Sequence, residues 1–362
     1  MRILHIHTSL SGGGIEAMIC GLVNEMVVAN DVTLATIFRP KASDIFENKL
    51  DKRVQRISLG KEKSGFSVRE IFKIYRLIST GDYDVVHIHG FFYYYALSVL
   101  LLHHKVKLFY TIHSDAEMEN TAWDKRLLWL KRTCFARKYI HPITISSASK
   151  DSFTRLYKVN STLINNGVKR STVFSQSDLL SDYRIGPLTK IFVHAGRINR
   201  AKNQVVLCKA FAKLIDEGFD VVLLIAGGNN DEGIMSELRP FFSQRIVYLG
   251  ERNDITTLLF YADAMCLPSI WEGLPVVLLE ALSVGCIPIC SPVGGIVNVI
   301  KDGQNGLLST DSSVGAYYDA LRRYLDKSNE EISAIKQNCI ASFAPYDIGQ
   351  VSEQYLSAYE NI

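Results

Sequence analysis

Three observations predict two α/β domains, each a doubly wound parallel sheet. Short apolar runs alternate with helix-period segments in both halves of the chain, the alternation lapses once near the middle, and 362 residues exceed one typical domain. The first series places strands at 2–7, 31–37, 54–58, 84–88, 108–113 and 142–145, with helical spacing between them at 15–29 and 68–79. From 165 to 187 the sequence turns polar. Asn166-Gly167 reads as a turn there, and S-T-V-F-S-Q-S-D-L-L-S-D-Y-R-I-G-P reads as a linker. A second series opens at Lys190, with strands at 191–194, 221–226, 246–249, 264–267 and 287–290. After Ala316 the pattern is helical, broken at 342–346 and resumed with Val351, Tyr355 and Tyr359 at four-residue spacing. The domains are drawn at 1–170 and 189–345, with 171–188 between them. In open parallel sheets the loops at the carboxyl ends of the strands line the ligand cleft.

Composition excludes several classes. Hydrophobic residues make up 48% and charged residues 21%, and the greasiest stretch, 91–102, is well short of the ~20 residues of a membrane span. The start, M-R-I-L-H-I-H, reads as a first strand rather than a signal peptide, which implies a cytoplasmic protein. Seven cysteines without a C-x-x-C pair give neither a disulfide framework nor a zinc site. The net charge of +3 is unevenly spread: residues 1–186 carry 26 basic against 17 acidic side chains, net +9, and residues 187–362 carry 14 against 20, net −6. Lys125, Arg126, Lys131, Arg132, Arg137 and Lys138 concentrate the positive charge beside Trp123, Leu127, Leu128, Trp129 and Phe135. Two readings stand. Such a helix lies on an anionic membrane surface, or it packs its apolar side inward and leaves its basic side solvated. Nothing in the pattern points to nucleic acid.

The stretch 268–285, P-S-I-W-E-G-L-P-V-V-L-L-E-A-L-S-V-G, carries the densest chemistry. A strand ends at Pro268, a loop follows, and Pro275 suits the first turn of a helix. Glu272 sits in the loop and Glu280 one to two turns inside the helix. A helix N-terminus attracts a diphosphate, and carboxylates accept hydrogen bonds from sugar and ribose hydroxyls. An amphipathic helix with a solvated glutamate would look similar, so the neighbouring residues decide. Arg197 and Lys202 follow the first strand of the second domain, where they can neutralise a departing diphosphate, with Arg200 between them.

In the first domain, Gly12, Gly13 and Gly14 follow the first strand and let the backbone approach an anion, with Glu16 in the first helical turn. The G-x-G-x-x-G spacing of a dinucleotide site is not kept. His113 ends a strand and faces the cleft; of His87 and His89, which share one strand face, His89 reads as the cleft residue and His87 as a core histidine. Asp82 and Asp84 spell D-x-D, but at the start of a strand, so they read as turn residues. The loops 229–232, 250–252 and 294–295 add close-approach positions at further strand ends.

Taken in order, G-G-I-E at 13–16, T-I-H ending at His113, I-N-N-G-V at 164–168, G-R…K at 196–202 and E-x7-E at 272–280 resemble the retaining glycosyltransferases of family 4. The resemblance spans nearly the whole chain and implies the GT-B fold. It implies transfer of a sugar from a nucleotide diphosphate sugar, a UDP-sugar foremost, to a hydroxyl of a glycan or lipid-linked glycan, as in the synthesis of cell-surface polysaccharide such as lipopolysaccharide or capsule. By the same likeness Arg197 and Lys202 hold the diphosphate, Glu272 with Gly273 and Leu274 the sugar, and Glu280 the ribose. Gly13, Gly14 and Glu16 face the donor phosphates, His113 stands beside the transferred sugar, and Arg252 belongs to the loop near the base. Neither metal nor other cofactor is implied. Relatives also carry a final helix, here 346–362, that returns to the first domain. Two alternatives remain: another GT-B enzyme, such as a sugar-nucleotide epimerase or an inverting transferase, and a non-catalytic sugar-nucleotide-binding subunit.

Overall fold

The computed structural model describes residues 1–41, 44–63, 65–120, 122–171 and 179–362, the side chain of Trp123 excepted. Most of the expected linker, residues 172–178, therefore lies outside the described residues. The chain forms two compact units: Met1–Gly167 together with Ile348–Ile362, and Val168–Asp347. The first changeover falls at 167/168, a few residues before the boundary expected from composition.

The first unit holds strands β1 (Arg2–His7), β2 (Asp31–Phe38), β3 (Gln55–Lys61), β4 (Val85–His89), β5 (Lys107–Ile112), β6 (His141–Thr144) and β7 (Thr162–Leu163). They pair in the order β3-β2-β1-β4-β5-β6-β7, with every pair parallel. The second holds β8 (Lys190–Ala195), β9 (Val221–Ala226), β10 (Ile246–Gly250), β11 (Ala264–Leu267), β12 (Ile287–Cys290) and β13 (Leu307–Leu308). Their order is β10-β9-β8-β11-β12-β13, again all parallel. In both sheets the order of strand addition reverses once, between β1 and β4 and between β8 and β11. At such a point the two flanking loops diverge and leave a crevice at the strands' carboxyl ends. The central strands are buried on both faces, as their near-continuous apolar runs require: all six residues of β9 and all four of β11 are out of water.

The C-terminal helix Ile348–Glu360 belongs to the first unit, with Val351, Tyr355 and Tyr359 buried. The Tyr359 ring lies 4.7 Å from that of Phe109, and its hydroxyl bonds Nδ1 of His87. Gly167 does not form the expected turn. Its backbone runs so close to this helix that a Cβ would stand 2.9 Å from Val351, which only glycine avoids.

The basic stretch near 125–138 departs from a single amphipathic helix. It forms two short helices, Ala122–Arg126 and Leu128–Ala136, and Lys131 turns inward. There Nζ donates to the Tyr110 hydroxyl at 3.2 Å and to Oδ1 of Asn120 at 3.1 Å, and it lies 4.5 Å from the centre of the Tyr110 ring. Burial lowers its pKa, and Glu119 and Asp124 act against that shift. Lys125, Arg126, Arg132, Arg137 and Lys138 remain exposed, as does the indole of Trp129. All seven cysteines are unbonded and buried.

Candidate active site

In the second unit, the loops after β8 and β11 meet at the reversal point. The first runs from Gly196 to Asn203 and the second from Pro268 to Pro275. They are tied by their backbones, Ile270 N–H donating to Ala201 C=O at 2.8 Å, and by Asn203, whose amide donates to Pro268 C=O at 3.1 Å. Asn203 holds φ +56°, a left-handed geometry that asparagine tolerates better than most residues.

Across this junction Lys202 Nζ donates to Oε1 of Glu272 at 2.5 Å, and that oxygen also accepts the Ser269 hydroxyl at 2.6 Å. Both partners of the pair are mostly buried, so water screens their attraction weakly. The sequence reading placed these two side chains in separate roles, and the structure brings them into direct contact. Ser269, fully buried, went unnoticed because a serine after a strand carries no signal by itself.

Arg197 differs from its neighbour. Its side chain is exposed and its guanidinium makes no ion pair or hydrogen bond among the described residues. Its carbonyl is fixed by Gln204 Nε2 at 3.0 Å, and the same nitrogen lies 3.2 Å from Nε2 of His194. His194 Nδ1 donates to Cys266 C=O at 2.9 Å, and burial lowers its pKa to about 4. A neutral buried network therefore anchors the loop that carries an unpaired cation. Gly227, at φ +148°, packs against this loop so tightly that a Cβ would overlap the carbonyl of Gly196.

The helix after the second loop is Val276–Val284, and Pro275 is its N-cap rather than its first residue. Among the described residues no side chain caps it, which leaves its first-turn N–H groups to an anion. Glu280 lies inside this helix, half-buried. Gly273 and Leu274 are buried in the loop. Gly294 and Gly295, left unassigned by the sequence, support it: Gly295 N–H donates to Gly273 C=O at 2.6 Å, and a Cβ on Gly294 would overlap the carbonyl of Glu272. Arg252 stands in the loop after β10, exposed and paired with Asp254 at 2.6 Å.

The corresponding place in the first unit is built from histidines. β1 ends at His7 and β4 at His89, and both are buried. His89 is wholly enclosed, which corrects its assignment as a cleft residue; position in a strand gives no hint of what the rest of the chain lays over it. Its ring stacks on that of His87 at 4.3 Å. His87 is a core residue, bonded through Nε2 to Thr111 Oγ1 at 2.6 Å and through Nδ1 to Tyr359. His5, His87 and His89 bring nitrogens within 4.8 Å of one another, the spacing of a metal cage. Both nitrogens of His87 are spent on hydroxyls, which leaves that ring none for an ion.

His113 directly follows β5 and is also buried, with Nε2 at 2.9 Å from Nδ1 of His89. Its backbone N–H donates to Oε2 of Glu119 at 2.9 Å, and Oε1 of Glu119 accepts the Tyr110 hydroxyl at 3.1 Å. Burial raises the pKa of Glu119, against the pull of Lys131.

Gly13 is the N-cap of the helix Gly14–Met26, without a side-chain cap. Glu16 folds back over it: Oε1 accepts the Ser11 hydroxyl at 3.4 Å and lies 3.8 Å from Nε2 of His7, and a Cβ on Gly13 would collide with its carboxylate. Asp82 and Asp84 tie the start of β4 to Arg2, Asp84 accepting the Arg2 N–H at 2.8 Å.

The sequence matches two family profiles. Glycosyltransferase Family 4 covers residues 12–171, and Glycosyl transferases group 1 covers residues 180–339. Among curated proteins, the UDP-Gal:alpha-D-GlcNAc-diphosphoundecaprenol alpha-1,3-galactosyltransferase of Escherichia coli is 25% identical over 75% of this chain and 73% of its own. The N,N'-diacetylbacillosaminyl-diphospho-undecaprenol alpha-1,3-N-acetylgalactosaminyltransferase of Campylobacter jejuni is 27% identical, over only 38% of this chain and 37% of its own. Among solved structures, Anabaena Alr3699/HepE in complex with UDP-glucose superposes over the full length of both chains with a TM-score of 0.82 at 18% identity. WaaG, a glycosyltransferase involved in lipopolysaccharide biosynthesis, gives 0.77 at 16% identity over 99% of each chain. At such identities the likeness shows the fold, GT-B.

Proposed function

The chain belongs to the family 4 glycosyltransferases, with a group 1 transferase domain as its second half, and on that premise we propose that it is a retaining hexosyltransferase. Its donor is a nucleotide diphosphate sugar, a UDP-sugar foremost, and its acceptor a hydroxyl of a glycan or lipid-linked glycan destined for a cell-surface polysaccharide. The galactosyltransferase relative, which uses UDP-Gal on a diphosphoundecaprenol-linked sugar, supports both choices.

One observation carries the reading: at the reversal point of the second sheet an unpaired Arg197, the Lys202–Glu272 pair and an uncapped helix N-terminus occupy two adjoining loops. In the reaction the bond from the anomeric carbon to the diphosphate breaks, the acceptor oxygen bonds to that carbon on the same face, and the leaving oxygen takes the acceptor proton. Negative charge grows on the diphosphate as it departs. Arg197, Lys202 and the first-turn N–H groups of Val276–Val284 neutralise it, without need of a metal. Glu272, already held by Ser269, accepts from sugar hydroxyls once Lys202 turns to phosphate. Glu280 accepts from the ribose and Arg252 belongs to the loop toward the base; by the family resemblance Gly13, Gly14 and Glu16 serve the donor phosphates and His113 the transferred sugar. Peripheral contact with an anionic membrane, on the cytoplasmic side, fits the exposed Trp129 beside Lys125, Arg126 and Arg132.

A thermal-shift screen of nucleotide sugars tests the donor, because a ligand at 100 times its Kd adds ~2.7 kcal/mol. NMR of the product then reads the anomer. Inversion, no turnover by the purified chain, or turnover abolished by EDTA and restored by a divalent cation would each overturn the corresponding part.

A further inference from the structure

Four histidines buried around His113 have no place in the transfer reaction, and hydrogen-bond accounting gives three of the five rings a joint role. His89 lies between two others: its Nε2 is 3.1 Å from Nδ1 of His5, and its Nδ1 is 2.9 Å from Nε2 of His113. Burial lowers the pKa of His5 and of His113 to about 3 and that of His89 well below the ordinary histidine value, so all three rings are neutral near pH 7. A neutral imidazole carries one N–H and one bare nitrogen. Each of the two hydrogen bonds therefore has one donor, and the direction taken at one end is imposed through His89 on the other.

Only two arrangements satisfy both bonds. In one, His5 donates from Nδ1 to His89, His89 donates from Nδ1 to His113, and His113 keeps its proton on Nδ1. In the other, His113 donates from Nε2 to His89, His89 from Nε2 to His5, and the His5 proton sits on Nε2. The end atoms, Nε2 of His5 and Nδ1 of His113, are both buried and without a hydrogen-bond partner among the described residues. One of them holds an orphan N–H and the other a bare lone pair. On His5, in the middle of a central strand and fully enclosed, an orphan donor is shut away from any arriving ligand. His113 starts the loop after β5 and is 9% exposed where His5 is wholly enclosed, so an arriving oxygen has the shorter way to its Nδ1. Buried donors without partners are the rarest defect in folded proteins, so the arrangement that leaves the donor where a ligand can reach it is favoured.

We infer that the chain His5–His89–His113 fixes His113 as the Nδ1–H tautomer, which makes it a hydrogen-bond donor to a hydroxyl oxygen of the transferred sugar, with His89 as the positioning residue. The second half of this statement rests on the proposed contact between His113 and the sugar; the first half does not. Glu119, by accepting the His113 backbone N–H, holds the ring's base while His89 holds its far nitrogen.

Long-range proton–nitrogen NMR on the histidine-labelled full chain without ligand reads which nitrogen of each ring is protonated. His7 and His194 serve as internal standards, because their Nδ1 atoms face the carbonyls of His89 and Cys266 and must be protonated. The expected result is Nδ1–H on His5, His89 and His113 alike; Nε2–H on all three overturns the inference. His89→Leu is expected to lower kcat by up to about tenfold while leaving nucleotide KM near the wild-type value, and His89→Gln, whose amide both donates and accepts, to recover part of it. Equal loss in the two variants means that His89 acts through packing alone and overturns its positioning role. Wild-type turnover in His113→Ala would remove the sugar contact and leave the tautomer result standing, so the two failures can be told apart.

Discussion

In the first unit the strands flanking the reversal point end in His7 and His89, side chains that bond within the sheet and out of water. In the second, the equivalent strands end in Ala195 and Leu267, and the polar groups stand one loop further out as Arg197, Lys202 and Glu272. The strand order is shared, so topology alone does not decide what chemistry a crevice performs. Polar groups inside a sheet are driven to be neutral and to take partners within it, which suits directional hydrogen bonding. Polar groups on loops can stay charged, which suits a diphosphate whose charge changes during reaction.

Acid gives the largest separation between the two units. His5 and His113 have folded pKa values near 3, and His87 and His89 lie well below the 6.5 of the free side chain, in each case chiefly through burial. Below pH 6.5 the unfolded chain binds protons that the folded chain refuses. Stability from these rings is therefore intact above about pH 6.5 and is lost as pH falls below it; for His5 and His113, with folded values near 3, the loss is about 2 kcal/mol each at pH 5. The second unit has His194 alone. Hydrogen exchange followed against pH is expected to show the first unit opening at a higher pH than the second; simultaneous opening, or the reverse order, breaks the comparison.

Charge removal comes next. Arg197→Ala is expected to lower kcat by about 10²–10³ with little change in donor KM, because the charge it meets grows only as the diphosphate leaves. His113→Ala, which removes a neutral donor, is expected to cost only about tenfold. A larger loss at His113 than at Arg197 would invert the assignment of charged and neutral work to the two units. The smallest effect is expected from Glu280→Gln, with nucleotide affinity weakened by about threefold, since an amide oxygen accepts less strongly than a carboxylate. Isothermal titration with UDP measures it, and unchanged affinity removes the ribose role.

The alternation of apolar runs made both sheets legible, because buried parallel strands need such runs. The two-residue strands β7 and β13 were invisible, being too short to carry a period. At the site, Glu272, Lys202 and Arg197 stood out as charges beside strand ends. Their arrangement did not, because the bond from Lys202 to Glu272 and the contact of Gly294 with the Glu272 loop join residues far apart in sequence. Lys131 was read as surface charge, since a lysine among other cations looks solvated until Tyr110 and Asn120 are seen to receive it. His89 failed for the same reason: its neighbour His5 comes 84 residues earlier.

The first unit takes the helix Ile348–Glu360 from beyond the second unit, which has by then been written in full. During synthesis, the face of β4 and β5 around His87 and Phe109 waits for Tyr355 and Tyr359, which leave the ribosome only after residues 168–347. Residues 168–347 have by then emerged as an uninterrupted segment able to fold as a unit. The unit whose strands are made first is thus the one completed second, and until its helix arrives its aromatic sheet face stands open to whatever else binds apolar surface.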